Sequence, residues 1–169
     1  MPRLALPSLA LDDLAVGDEW ASPSRTVTEA DVVAFAGISG DFNPIHMDHE
    51  AAAESVFRRP IAHGLLGLAM ASGLSSFAPK VETLAFVAIL EWKFVEPIAF
   101  GDTIHVVSRV ESIEPRGRGR RGLITWRKEL VNQKGKVVQT GLTQTLVAAR
   151  SPGNEPFLAD AAPDGGGTA

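Results

Sequence analysis

The segment HGLLGLAMASGLSSF, residues 63–77, places the strongest constraint on how this chain can fold. Apolar or small residues lie on nearly every face of the helix that it predicts, so this helix must be buried all round. Its glycine, alanine and serine residues allow neighbouring backbones to come close. Pro79 ends the helix. The rest of the chain must therefore supply the surfaces that cover this one segment.

The second half of the chain can supply those surfaces. It holds four segments rich in Val, Ile, Thr, Leu, Phe and Trp, with Gly or Pro between them. These predicted strands are Leu84–Phe94, Thr103–Ser112, Leu123–Asn132 and Lys136–Ala148. Short connections such as Asn132–Gly135 predict that the strands form an antiparallel meander. The expected fold class is α+β, with an antiparallel sheet wrapped around a central buried helix.

The first half predicts a strand within residues 11–27, followed by two short helices. Thr28 is the predicted N-cap of the first helix, with Asp31 completing an acidic capping box, and this helix should end within residues 37–40. Asp48 is the predicted N-cap of the second helix, which should run through HEAAAESV, residues 49–56, before Arg58-Arg59-Pro60 stops it.

Between these two helices lies SGDFNPIHMD, residues 39–48, where polar residues are dense. The Asn43-Pro44 pair disfavours helix at Asn43, so a loop must bring Asp41 and His46 together. A carboxylate beside an imidazole can hold and activate one water, because each group can accept a proton. Turn formation explains the same residues, since Asp and Asn are common in turns. Both interpretations stay open on these residues alone.

The longer segment FAGISGDFNPIHMDHEAAA, residues 35–53, resembles the signature of the MaoC-like dehydratases, the family of (R)-specific enoyl-CoA hydratases with a hotdog fold. That signature is an aromatic residue, then Gly-Asp-x-Asn-Pro-aliphatic-His, then a small residue six positions on. PIAHGLLGLAMASGL, residues 60–74, is similar to the family's central helix. LEWKFVEPIAFGDTIHV, residues 90–106, is similar to its strand, bend and next strand. The resemblance covers residues 11–148 in order and implies a single hotdog domain.

The resemblance implies that Asp41 and His46 are the catalytic pair of a hydro-lyase. In the family, these two residues hold the water that adds to a trans-2-enoyl thioester or leaves a 3-hydroxyacyl thioester. Gly64 matches the position whose backbone N–H stabilises the thioester oxygen, where the start of a helix favours negative charge. A place in fatty acid metabolism follows from the same resemblance.

Three further residues are candidates for supporting roles. Ser72 matches a family serine near the catalytic aspartate, although a small packing residue explains it equally well. Asn43 is expected to shape the loop. His63 could approach the mouth of the site, but a capping or packing role at the start of the helix is the preferred interpretation.

Cofactors are not expected. His46 and His49 are three residues apart with Asp48 between them, but no matching ligand cluster follows, so we predict no metal. No redox cofactor is expected either, and coenzyme A or phosphopantetheine enters only as part of an acyl-CoA or acyl-carrier-protein substrate.

The strongest basic cluster is PRGRGRRG, which holds Arg116, Arg118, Arg120 and Arg121. A glycine-arginine turn of this kind is usually a solvated hairpin connection. The functional alternative is contact with the phosphates of coenzyme A or of phosphopantetheine, because arginine pairs well with phosphate. The sequence does not separate these two interpretations.

Composition excludes several classes. The formal net charge of -4 gives no global basic field, so a nucleic-acid partner is not expected. The chain has no cysteine, which excludes disulfides and a cysteine nucleophile. No apolar run suits a membrane helix and no signal peptide is recognised, so we expect a cytoplasmic protein without a membrane partner. The predicted organisation is an N-terminal extension over residues 1–10, the hotdog domain over 11–150 and a flexible tail over 151–169.

The resemblance also implies a homodimer, because the family usually pairs two subunits into one continuous sheet. Two other functions remain open: a hotdog thioesterase, and a non-catalytic acyl-binding partner subunit of a heteromeric dehydratase. Pocket shape sets the length and branching of the acyl group and the choice between coenzyme A and carrier protein, so these are not predicted from the sequence.

Overall fold

Helix α4, Gly64–Ser75, lies at the centre of the fold and packs against an antiparallel sheet in a computed structural model that describes residues 8–150. The chain before α4 forms a 3-10 helix over Leu11–Asp13, two short strands and three α-helices, and the chain after it forms four long strands. In order these are β1 (Glu19–Ala21), β2 (Arg25–Thr26), α1 (Glu29–Ser39), α2 (Pro44–Met47), α3 (His49–Glu54), β3 (Thr83–Phe94), β4 (Thr103–Arg116), β5 (Arg121–Asn132) and β6 (Val137–Ala148). The predicted α+β hotdog architecture is confirmed.

The six strands form one sheet in the order β1-β4-β5-β6-β3, and β2 pairs with β4 beside β1. The predicted meander is confirmed for β4, β5 and β6, but it is wrong for β3, which pairs with β6 rather than with β4. The connection over residues 95–102 is too long for a tight hairpin, and the N–H groups of Val95 and Glu96 both donate to Val138 O. It therefore carries the chain across the sheet.

The ends of the helices follow the predicted caps in part. Thr28 Oγ1 accepts from Asp31 N and the Asp31 carboxylate accepts from Thr28 N, which is the capping box, and α1 ends at Gly40 with φ of 75°. Asp48 caps α3 through the N–H groups of the next turn, as predicted. However, α3 ends at Glu54, two residues before the end of the predicted helix over residues 49–56.

One face of α4 forms the core, through Leu66, Met70, Ala71 and Leu74. They pack against buried residues of the sheet, which include Ile104, Val106, Leu130 and Val138. The prediction that α4 is buried all round is wrong for this protomer, because only one side of the helix meets the sheet. The opposite side is open, and Leu65 on that side is 60% exposed.

The open side of α4 adjoins an open sheet edge. β3 is the last strand in the sheet order, so within residues 8–150 no strand pairs with its outer edge. Nearly all of β3 is exposed, and its exposed apolar side chains are Leu84, Phe86, Val87, Ile89, Leu90 and Phe94. An exposed, long apolar edge strand is a surface on which another chain can pair.

The described part of the chain begins next to the sheet. Leu9 forms a parallel bridge with Val81, so part of the predicted N-terminal extension lies against the domain. Residues 1–7 and the predicted tail over 151–169 lie outside the described residues. No helix within residues 8–150 is long and apolar enough to span a bilayer.

Candidate active site

The segment between α1 and α2 is shaped by a series of hydrogen bonds from backbone N–H groups to side chains two residues earlier. Asp41 N donates to Ser39 Oγ, Asn43 N to Asp41 Oδ1, and Ile45 N to Asn43 Oδ1. Each bond turns the chain locally, as Ser, Asp and Asn commonly do. Asn43 then caps the short helix α2, with Pro44 in its first position. The sequence predicted a loop here, and α2 is the additional element.

The imidazole of His46 is oriented by the backbone. Its Nδ1 lies 2.7 Å from Ile61 O. A carbonyl oxygen only accepts, so Nδ1 carries the hydrogen and donates it, which leaves Nε2 as the acceptor of the neutral ring. His46 is half-buried. The ring is therefore fixed with a free basic nitrogen, which is what a general base requires.

His63 holds the two catalytic candidates together. Its Nε2 lies 2.8 Å from Asp41 O, so it donates to the backbone of the loop. Its ring lies between two others, with centroid distances of 3.9 Å to His46 and 5.1 Å to Phe35. His63 is 3% exposed, and its Nδ1 has no hydrogen-bond partner among the described residues. His63 is the N-cap residue of α4, but its side chain packs rather than caps.

One carboxylate oxygen of Asp41 and one ring nitrogen each of His46 and His63 lie within 4.8 Å of one another. Asp41 Oδ2 lies 4.0 Å from His63 Nε2, and the Asp41 side chain is 53% exposed in this protomer. Spacings of this size allow one water to contact a carboxylate oxygen and an imidazole nitrogen together. The same three groups are of the type that bind metals, but two of their four ring nitrogens already face backbone carbonyls. The expectation of no metal stays a prediction.

Gly64 is the first residue of α4, where a backbone N–H has no acceptor within the helix. A Cβ at this position would lie 2.9 Å from the Phe94 ring, so the close packing of β3 requires glycine. Gln139 Nε2 donates to Gly64 O at 3.0 Å, and Gln139 Oε1 accepts from Trp92 Nε1 at 3.0 Å. The start of the helix is therefore fixed from two neighbouring strands.

Sequence reasoning missed Gln139, which is 2% exposed. A detectable signal was present, since Gln139 follows two valines at the start of a predicted strand, and a glutamine that is buried there must find a hydrogen-bond partner. That partner could not be identified without the tertiary fold, because it lies 75 residues away along the chain.

Ser72 lies eight residues beyond Gly64 on α4, about 12 Å along the helix axis. It is exposed and lines a cavity of about 290 Å³ between α4 and the sheet. Within one protomer, Ser72 therefore belongs to this cavity. Its supporting role stays a prediction.

The arginine cluster forms the hairpin between β4 and β5, with Arg118 at φ of 59°. Arg116 pairs with Glu114, and Arg120 Nε donates to Gly117 O. The hairpin lies at the end of β4 remote from Ala99, which bridges to Ile61 beside the His46 ring. About 40 Å of strand separates the two ends of β4. This separation disfavours a contact between these arginines and a substrate phosphate at the site of the same chain, and the phosphate contact stays a prediction.

His49, the remaining histidine near this segment, is exposed and lies outside the cluster, with its Nε2 3.2 Å from Glu29 Oε1.

Comparison with known proteins gives a consistent result. Residues 15–132 match the family described as "MaoC like domain". The chain is 32% identical over 140 residues to an (R)-specific enoyl-CoA hydratase of Rhodospirillum rubrum, a match that covers 82% of this chain and 92% of that protein. It is 41% identical over 95 residues to "Protein MaoC" of Klebsiella aerogenes, which covers 56% of this chain but only 28% of the length of that protein.

Among solved structures, the chain is similar to a crystal structure of a MaoC-like dehydratase from Rhodospirillum rubrum. The TM-score is 0.75 at 33% identity, and the match covers 85% of this chain and 99% of that one. The likeness therefore extends over nearly the whole described fold.

Proposed function

The chain belongs to the MaoC-like domain family and is a hydro-lyase of the hydratase and dehydratase kind, and from this premise we propose that it interconverts trans-2-enoyl-CoA and (R)-3-hydroxyacyl-CoA. The observation that carries this proposal is the proximity of Asp41 and His46. A carboxylate oxygen of Asp41 and a ring nitrogen of His46 lie within 4.8 Å of each other and of a ring nitrogen of His63. His63 directly precedes Gly64, so the pair lies beside the first turn of α4.

In the hydration direction, Asp41 and His46 hold one water between them. The oxygen of this water bonds to C3 of the enoyl group while one proton passes to His46 Nε2, the nitrogen that Ile61 leaves free. The π electrons of the C2–C3 bond move toward the thioester, whose oxygen gains negative charge. The proton then returns from the same pair to C2, so that one water adds across the double bond. Dehydration follows the same steps in reverse.

Gly64 supports the reaction through its backbone. Its N–H lies at the start of α4, where the helix dipole favours the negative charge that develops on the thioester oxygen. The absence of a side chain lets Phe94 and the substrate approach closely. Gln139 holds the next peptide group in place, which makes it a positioning residue.

A homodimer completes this proposal. The outer edge of β3 and the open side of α4 both expose apolar residues, and a two-fold partner would pair β3 with β3 and cover both surfaces. Asp41 is more than half exposed in one protomer, so a partner subunit would also exclude water from the reaction site. Location in the cytoplasm stays a prediction.

The proposal is tested with a series of trans-2-enoyl-CoAs of rising chain length. The loss of enoyl absorbance is followed in purified protein, and the stereochemistry of the product is determined by chiral separation. We expect turnover that yields the (R)-3-hydroxyacyl product. Release of free thiol instead would identify a thioesterase. Activity that appears only after a related chain is added would identify a subunit of a heteromeric dehydratase.

A further inference from the structure

Lys128 on β5 lines the partly open cavity between α4 and the sheet. Its residue exposure is only 9%, and its Nζ donates a 2.8 Å hydrogen bond to Ser108 Oγ. Nζ also lies 4.9 Å from the centroid of the Trp126 ring. Burial lowers the pKa of Lys128 to about 8, which still leaves the amine mostly protonated at neutral pH. The cavity therefore contains a buried positive charge.

This charge has no anionic partner in the part of the chain that the structure describes. None of the residues lining the cavity is acidic, and burial is the one cause that shifts the Lys128 pKa. A lysine ammonium has three N–H donors, and Ser108 accepts one. Burying an unpaired charge is costly unless another group compensates it. The other two N–H donors of Lys128 have no hydrogen-bond acceptor among the described residues, so an anionic ligand group could accept from them.

The walls of the cavity are mainly apolar. Leu68 and Ala71 of α4 line one side, and Val81, Phe86 and Trp92 line the other. The volume of about 290 Å³ is at the small end of the range for ligand sites. Hydrocarbon can fill such a space, whereas a bulky or highly charged group cannot. The combination of apolar walls and one buried cation is suited to a short chain with a single anionic end.

The cavity is connected to the proposed reaction site by direct contacts. Leu68 lines it one helical turn beyond Gly64, about 6 Å along the axis. Trp92 lines it as well, and its Nε1 donates to Gln139, whose Nε2 donates to Gly64 O. A wall of the cavity therefore lies one helical turn from the Gly64 N–H.

We propose that the cavity binds the distal part of an acyl thioester that ends in a carboxylate, and that Lys128 is the counter-ion of that carboxylate. The proposal rests on the proposed function, since it places the thioester oxygen at Gly64 and the chain along α4. Lys128 is then a specificity-determining residue: it takes no part in the addition of water, and it selects substrates that carry a negative charge at the far end.

The test compares two trans-2-enoyl-CoAs of equal chain length, one ending in a methyl group and one in a carboxylate. We expect wild-type kcat/KM to favour the carboxylate by at least about tenfold, the size of effect typical of charge-assisted hydrogen bonds. Lys128→Met should abolish this preference. Lys128→Gln keeps a hydrogen-bond donor but removes the charge, and this variant should also lose the preference for the carboxylate. Lys134→Met, a change at an exposed lysine in the β5–β6 turn, should keep the wild-type preference.

A binding measurement separates this proposal from the proposed function. Isothermal titration uses saturated acyl-CoAs with the same two ends, which cannot be hydrated. If no enoyl thioester is turned over, yet the carboxylated ligand binds wild type at least tenfold more tightly than it binds Lys128→Met, the hydratase proposal fails and the site assignment stands. Equal binding of both ligands by wild type, or a preference for the methyl end, overturns the assignment. So does a Lys128→Met protein that keeps the wild-type preference.

Discussion

Gln139 and Gly64 are joined by a hydrogen bond of 3.0 Å, in which the side-chain amide donates to the carbonyl of the first residue of α4. The same amide accepts from Trp92 Nε1 on β3. A single buried side chain thus connects β6, the edge strand and the helix start where we place the thioester oxygen. The position of the Gly64 peptide is consequently determined by the sheet as well as by the helix.

Replacing Gln139 by Leu should therefore damage both stability and catalysis. The change leaves Trp92 Nε1 without its acceptor and Gly64 O without its donor, which should lower the free energy of unfolding by about 1–3 kcal/mol. Because Gly64 is proposed to contact the transition state, kcat should fall more than KM rises. Gln144→Leu on the same strand removes a hydrogen bond to Thr125 and is the control. Equal loss of kcat in both variants would refute a positioning role for Gln139.

Single substitutions of Asp41 and His46, the proposed catalytic pair, give the most direct test of the site. Asp41→Asn and His46→Ala should each lower turnover at least ~10²-fold, since each removes a group that holds or deprotonates the water. His49→Ala is the control, because His49 is exposed and lies outside the cluster. Steady-state kinetics of crotonyl-CoA hydration measure the effect. Wild-type rates in both site variants would mean that the water is activated elsewhere.

Gly67 should tolerate no side chain, although it lies in the middle of a helix. A Cβ there would lie 2.8 Å from Ile98 Cδ1 and 2.8 Å from Gln139 Cδ. Overpacking of this kind costs about 1–3 kcal/mol, so Gly67→Ala should lower the denaturation midpoint. Gly37→Ala in α1 meets nothing within 4 Å and should be neutral or stabilising by up to about 1 kcal/mol. Chemical denaturation of the two variants makes the comparison, and an unaffected Gly67→Ala protein would contradict the packing described.

Lys128 should make the protein more stable as pH rises from about 8 to 10.5. The folded pKa of Lys128 is about 8, below its ordinary value of 10.5, so within this window the unfolded chain binds more protons. The free energy of unfolding should then increase by about 3 kcal/mol across the window. No other titratable side chain lines the cavity, where its neighbours include Leu68, Trp126 and Thr143.

Denaturation of wild type and Lys128→Met over this pH range checks the prediction. The rise should occur in wild type and be absent from Lys128→Met, since methionine does not titrate. The chain has no tyrosine and no cysteine, and its other lysines are present in both proteins, so their titration cancels in the comparison. Parallel pH profiles for the two proteins would show that the Lys128 amine is not destabilised by burial.

The outer edge of β3 provides a test of the homodimer. Leu90 is 54% exposed on this strand, and Leu90→Lys places a charge on the surface that we expect a second subunit to cover. The variant should elute as a monomer. Val16→Lys introduces the same charge at a residue that is 64% exposed outside β3 and should leave the oligomeric state unchanged. Light scattering coupled to size-exclusion chromatography distinguishes the two, and a dimeric Leu90→Lys protein would place the interface elsewhere.

The local features of this fold were predictable because they depend on neighbours in the chain. The capping box of Thr28 and Asp31, the end of α1 at Gly40 and the cap at Asp48 all follow from contacts within a few residues. The position of β3 was not predictable in this way. Its apolar pattern fits either edge of the sheet, and only the path of residues 95–102 decides between them.

The candidate site likewise has features that follow from neighbouring residues in the chain and features that depend on the tertiary fold. The sequence determined which residues are candidates for the chemistry, because the spacing of Asp41 and His46 around Asn43-Pro44 is a local pattern that resembles the family signature. The tertiary structure alone decided what lies around them: the His63 ring against His46, Gln139 at Gly64 and the Lys128 amine in the cavity. The physical reason is that hydrogen bonds and ring contacts between distant segments depend on burial and orientation, which local sequence patterns do not reveal.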